Sequence, residues 1–217
     1  MKITIAMTLF LALLATAQDS KETKKAPEPQ SPQMTDQDRA RVRLFLQTSQ
    51  KEFLDAVENL TDAQWNFKPA PVNGRERWSI AECAEHIVLA EAAIFSNVQA
   101  AMAAPAVPDW EAKTDKKTLL LMKTLPDRSH QATAPEAIQP KMNWTRKEIM
   151  DRYKQGREKV VKFNDTTDLP LKEHTKDNPF PVFGTLNAYQ WLLYIPLHNM
   201  RHNQQIVEVK TYPGYPK

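Results

Sequence analysis

The chain of 217 residues holds four glycines, Gly74, Gly156, Gly184 and Gly214. The stretches between them carry apolar residues at intervals of three and four rather than two. Sheets need frequent tight turns and strands of alternating polarity, whereas helices need one apolar stripe and a cap at each end. No Asn-Gly hairpin is expected, and alternating β-branched runs are few. The reading is therefore all-α.

Four long helices account for most of the chain. Thr35, with Asp38 in the first turn, starts helix one, whose buried stripe is Val42, Phe45, Leu46, Phe53, Leu54 and Val57. A single short turn is expected near Thr61, ended by Pro69 and Pro71. Ser79 and Glu82 make a capping box, with Trp78 before it and Cys83 after it as a staple pair. Helix two follows, with Cys83, Ile87, Ala90, Ile94 and Val98 inward, and closes at Pro105 and Pro108. Residues 109–143 form a long connection with one short helix in KKTLLLMKTL. Such a connection either crosses the mouth of a site or is a surface excursion.

Thr145 and Glu148 cap helix three, whose inward face is Ile149, Tyr153, Val160 and Phe163. Gly156 on that face costs ~1 kcal/mol of helix propensity, for which close backbone packing is the expected reason. Residues 165–183 read as irregular, and Glu85 and Glu91 of helix two read as surface groups, Glu91 reaching inward only with a bend. Thr185 is expected to cap helix four, which runs to about Lys210. Pro196 inside it removes a hydrogen bond to the carbonyl of residue 192, so a kink is expected just before His198. Four amphipathic helices bury themselves best as a bundle, and the long connection permits a crossover.

The first residues, MKITIAMTLFLALLATAQDS, place a lysine before an apolar run and small residues Ala15, Thr16 and Ala17 before Gln18. This is the pattern of a secretory signal peptide, residues 1–17. Residues 18–34 are polar and proline-rich, a flexible linker. The helical domain is expected over 35–210 and a C-terminal tail over 211–217. The protein is thus expected to be exported, periplasmic or extracellular, with no membrane span in the mature form. The formal charge of +3 is small, and the lysines at 21, 24, 25 and at 113, 116, 117 are not interleaved with aromatics, so no nucleic-acid partner is expected. Cys83 is the lone cysteine, which excludes an intramolecular disulfide and reads as a buried, inert thiol. A homodimer suits a small bundle, although no surface stripe dictates one.

Three histidines interrupt these apolar faces. His198 and His202 are one helical turn apart, on the face carrying Trp191, Ile195 and Ile206, and His86 interrupts helix two. Imidazole is the commonest protein ligand to metals, and an i, i+4 pair can share one ion. Three nitrogens from two helices would leave a coordination position for water or substrate, the mark of a catalytic rather than a closed structural site. A bland alternative stands beside this one, since a histidine pair at that spacing also arises by chance. Glu82, one turn from His86, is a capping residue that could also orient the set as an outer carboxylate. Trp191, Tyr194 and Arg201 are candidate pocket residues. His130 and His174 read as exposed, with His174 able to line a mouth if its loop folds over. No H-E-x-x-H, nucleophile elbow, phosphate loop or dinucleotide fingerprint is present.

Three stretches, WSIAECAEHIVLAE, NPFPVFGTL and WLLYIPLHNMRHNQQI, resemble the DinB/YfiT superfamily of small metal-binding four-helix proteins. The resemblance runs from about Thr35 to Lys210. It implies a four-helix bundle of DinB/YfiT type, with the family's three histidine ligands matching His86, His198 and His202. It also implies one divalent ion, zinc or nickel, since imidazole suits both. Members of known activity include thiol-dependent transferases and a thiol-dependent maleylpyruvate isomerase, in which the metal favours a thiolate. The expected function is accordingly a divalent-metal-dependent hydrolase or thiol-dependent transferase acting on an unidentified small molecule. The alternative is a non-catalytic metal-binding or extracytoplasmic interaction protein, with Glu82 or Glu91 as a fourth ligand. The expected export separates this chain from cytosolic thiol cofactors and leans toward hydrolysis.

Overall fold

A computed structural model describes residues 31–130 and 132–217. The expected signal peptide and nearly all of the expected linker lie outside the described residues. Its last residues, 31–34, belong to the folded part. Met34 is buried in the core, and the Lys172 backbone N–H donates to the Pro32 carbonyl at 2.9 Å.

The fold is all-α. In chain order the helices are α1 (Asp36–Val57), α2 (Asp62–Asn66), α3 (Ile80–Ala103), α4 (Trp110–Thr114), α5 (Lys117–Thr124), a 3-10 turn (Glu136–Ile138), α6 (Arg146–Thr166) and α7 (Ala188–Lys210). Capping chemistry sets the starts. Thr35 with Asp38, Thr61 with Gln64, Ser79 with Glu82 and Thr145 with Glu148 each form a reciprocal capping box. The fourth long helix departs from expectation. Asn187, not Thr185, caps it, exchanging bonds with Gln190, because Thr185 is committed to a strand.

Two short β features sit within this all-α architecture. Thr175–Asp177 (β1) pairs antiparallel with Thr185–Asn187 (β2) inside the stretch read as irregular. Asn73 and Gly74 both have positive φ, and Val72 pairs with Arg75 around them.

 
The φ values are 51° at Asn73 and 73° at Gly74, the geometry of a tight Asn-Gly turn, so this dipeptide is a hairpin signal in its own right.

The four long helices form the bundle. α7 packs against α1 and α3, and α6 packs against the same two from the other side, so α1 and α3 stand diagonally. By length and apolar composition α3 would serve as a membrane span, which the sequence reading did not expect. Its place between α6 and α7 accounts for that apolarity, since Ile80, Ala84, Ile87, Ala90, Ile94 and Val98 are all core. Pro196 is buried within α7, which continues through it. Gly156 is not required by close backbone approach. A Cβ there would lie 3.8 Å from Glu91 Oε1, an ordinary contact.

The core is two apolar clusters. One gathers Val42, Leu46, Ile94, Val160 and Ile195, and the other Phe53, Ile87, Ile149, Tyr153 and Ile206. Each long helix places polar residues near where its two apolar stretches meet. These are Ser49 on α1, His86 and Glu91 on α3, Arg157 on α6, and His198, Asn199, His202 and Asn203 on α7. Buried polar groups are costly unless paired, so this layer is where the sequence departs from what folding alone favours.

Candidate metal centre

The layer is built from a repeat on α7. His198-Asn199 recurs four residues later as His202-Asn203, so one turn of helix carries two polar ladders side by side. The asparagine ladder faces α1 and α6. Tyr153 Oη donates to Asn199 Oδ1 at 2.9 Å, and Arg157 donates to the same oxygen at 2.7 Å. Asn199 Nδ2 donates to Asn203 Oδ1 at 2.9 Å, and Asn203 Nδ2 donates to the Ser49 carbonyl at 2.9 Å. These bonds fix the rotation of α7 about its axis. The histidine ladder is thereby turned toward α3.

His86 meets it there. Its Nε2 lies 3.1 Å from Nε2 of His202, which in turn lies 3.3 Å from Nε2 of His198. One ring nitrogen from each of the three falls within 4.8 Å of the others. An ion with metal–nitrogen bonds of about 2.0–2.1 Å holds its ligands about 3.3–3.4 Å apart when tetrahedral, and about 2.9 Å apart at right angles. The two closer separations lie between those values.

The outer nitrogens decide the protonation pattern. His86 Nδ1 is 2.7 Å from the Ile138 carbonyl, which only accepts, so Nδ1 carries the proton. His202 Nδ1 is 2.9 Å from Gln205 Oε1, and Arg128 donates to that same oxygen at 3.2 Å. Arginine has only donors, so the amide presents oxygen to both partners and His202 Nδ1 also carries its proton. In the neutral rings both Nε2 atoms are then bare. Two bare nitrogens at 3.1 Å repel each other unless a cation lies between them. Burial lowers the His86 pKa to about 4, against the Ile138 hydrogen bond that raises it. Burial, and then the neighbouring histidines, hold His198 and His202 well below the usual histidine range. The cluster is neutral at pH 7, the form that ligates metals.

Aromatic rings wall the cluster. Trp78 lies 4.7 Å from His86 and stacks on His202 at 6.0 Å between ring centroids, and Tyr194 stacks on His198 at 6.0 Å. Trp191 stacks on Tyr194, one ring further away, with its Nε1 donating to the Lys176 carbonyl. Burial pushes the Tyr194 hydroxyl well above its ordinary range, despite a hydrogen bond with Asn178. Burial likewise raises the Cys83 thiol, which accords with an inert thiol.

Several expected roles change. Glu82 caps α3 through Ser79 N at 2.7 Å and pairs with Lys68 at 2.9 Å, so its carboxylate is occupied by the helix start and a lysine. Arg201 does not turn to an anion site. Its guanidinium donates to the Asp127 and His130 carbonyls. Neither Glu85 nor Glu91 is a surface group. Glu85 accepts from the Met142 N–H at 2.6 Å, and Glu91 pairs with Arg157 at 2.9 Å. His130 is exposed, but His174 is half-buried, with Nδ1 2.7 Å from the Ala104 carbonyl and no place at the cluster. The long connection is no loose excursion, because Ile138 and Met142 both reach α3. The sequence reading assigns no role to Arg157, Asn199 or Asn203. Their signals were present, Arg157 at helical spacing between Tyr153 and Val160, and the asparagines in the repeated His-Asn pair.

A bundle of four long helices with a histidine triad between two of them defines a class of helical proteins suited to binding a metal ion. Residues 45–206 match the family model of the DinB superfamily. The chain belongs to the DinB superfamily. It is also similar to the uncharacterized protein YuaE of Bacillus subtilis (strain 168), at 25% identity over 162 residues covering 73% of this chain and 91% of that protein. No solved structure matches the chain.

Proposed function

We propose that the protein is a divalent-metal-dependent enzyme acting on a small molecule, with His86, His198 and His202 holding one zinc or nickel ion through Nε2. The observation that carries this reading is the convergence of bare ring nitrogens from α3 and α7, two of them with their outer nitrogens held as donors. Among the described residues no carboxylate or thiol joins the three histidines. The two acids best placed by sequence to close the coordination sphere, Glu82 and Glu91, are engaged by Lys68 and Arg157. Three protein ligands leave room for an exchangeable one, which separates a reactive centre from a structural one.

When bound there, the ion would lower the pKa of a water or thiol ligand and polarise a substrate oxygen. The chain's own contribution is positional. Trp78 and Tyr194 give the ligand rings an apolar wall, and the Tyr194 hydroxyl stays protonated, able to donate to a substrate but not to act as a base at neutral pH. The amino-terminal pattern supports export, and with it hydrolysis over thiol transfer, because low-molecular-weight thiols are scarce outside the cytoplasm. Cobalt(II) substitution tests the reading. The visible spectrum of the cobalt protein is expected to shift on adding azide or 2-mercaptoethanol as an outside ligand enters. A spectrum unmoved by both would mean a closed sphere and a non-catalytic metal protein.

A further inference from the structure

The connection after α5 and the carboxyl-terminal half of α7 clasp each other with two arginines, one from each side. Arg201 of α7 donates to the carbonyls of Asp127 and His130, bracketing Arg128. Arg128 reaches back to α7. Its Nε donates to Glu208 Oε1 at 2.7 Å and its Nη2 to Glu208 Oε2 at 2.8 Å, a fork on one carboxylate. The remaining nitrogen, Nη1, donates to Gln205 Oε1 at 3.2 Å, and that oxygen accepts from His202 Nδ1 at 2.9 Å. An unbroken chain of bonds thus runs from Glu208 through Arg128 and Gln205 to one of the three rings. The same connection supplies the Ile138 carbonyl that holds His86. Residues well outside the two ligand-bearing turns therefore orient two of the three histidines.

We propose that Arg128 is a positioning residue for the metal centre, acting through Gln205 to hold the His202 ring with Nε2 toward His86. This rests on the metal-binding reading above. The physical need is clear from the amide. A glutamine can present either oxygen or nitrogen, and only the oxygen face leaves His202 Nε2 bare for a metal. A guanidinium beside Oε1 makes the other face unfavourable, because two donors would meet. Only arginine can grip Glu208 with two nitrogens and keep a third for Gln205. A lysine offers a single point of charge without that planar fork.

The test is the zinc dissociation constant, measured by competition with a chelating dye, for wild type, Gln205→Leu, Gln205→Glu, Arg128→Met and Arg128→Lys. Thermal melts of the metal-free proteins establish that each variant is folded. Gln205→Leu removes the acceptor and is expected to weaken binding about 10–100-fold. Gln205→Glu keeps an acceptor and is expected to bind as tightly as wild type or tighter. Arg128→Met and Arg128→Lys are expected to weaken binding about 10-fold, because lysine restores charge without the fork. A role in merely pinning the connection would lower the metal-free melting temperature and leave the dissociation constant alone. Should both Arg128 variants bind zinc like wild type, the positioning role is overturned while the metal centre stands. Should wild type itself bind no zinc, the metal centre fails and the positioning role with it.

Discussion

Arg157→Met is expected to lower the free energy of unfolding by about 3–5 kcal/mol, read by urea denaturation. Arg157 is fully buried, and its guanidinium serves three helices at once. It donates to the Leu46 carbonyl and Ser49 Oγ on α1, each at 2.9 Å, to Glu91 on α3 at 2.9 Å, and to Asn199 on α7 at 2.7 Å. Removing it leaves the Glu91 carboxylate in the core without its counter-charge. Burial already holds that carboxyl above the usual range, and Arg157 is what opposes the shift. The pair is imperfectly satisfied even in the native protein, since Glu91 Oε1 and Arg157 Nε find no hydrogen-bond partner among the described residues. Glu91→Leu combined with Arg157→Met is therefore expected to lose less than the two single losses added together, with a coupling of about 1–3 kcal/mol. A single Arg157→Met variant within about 1 kcal/mol of wild type would show that the network contributes little to folding.

The second large effect concerns the ion. A chelator is expected to lower the stability of the protein as purified, and His198→Ala to abolish that response. Ligand that binds only the folded state at 100 times its dissociation constant contributes about 2.7 kcal/mol. For a domain of this size that corresponds to roughly 5–10 °C in melting temperature. A chelator-induced fall of the same size in His198→Ala would place the bound ion somewhere other than this cluster.

Much of the fold is legible in the sequence because helix starts are local chemistry. A threonine or serine followed three residues later by an acid or amide names its own capping box, and Thr35, Ser79 and Thr145 all behave as read. Thr185 misled for the same local reason. It resembles a cap, but its pairing with Asp177 in the two-stranded sheet moves the cap to Asn187. Asn73-Gly74 needed only recognition as a turn. The three histidines are legible through spacing and neighbours, but the partners of their outer nitrogens are not. Ile138 acts through its backbone carbonyl, which no side-chain pattern reveals, and it lies 52 residues from His86. Arg128 and Gln205 are 77 residues apart, with polar side chains that suit any surface. The acids were the hardest to place. Glu85 and Glu91 look like solvated groups on an apolar helix until the Met142 N–H and Arg157, both from distant segments, arrive to meet them.

The central claim is that imidazoles of α3 and α7 share one cation. An anomalous-difference map, collected at the zinc and nickel edges from crystals of the protein as purified, addresses it directly. The account expects a single strong peak about 2.0–2.1 Å from Nε2 of His86, His198 and His202, with at least one further ligand that is not protein. A map with no peak among the three rings, or rings turned so that no one ion touches them all, would contradict it.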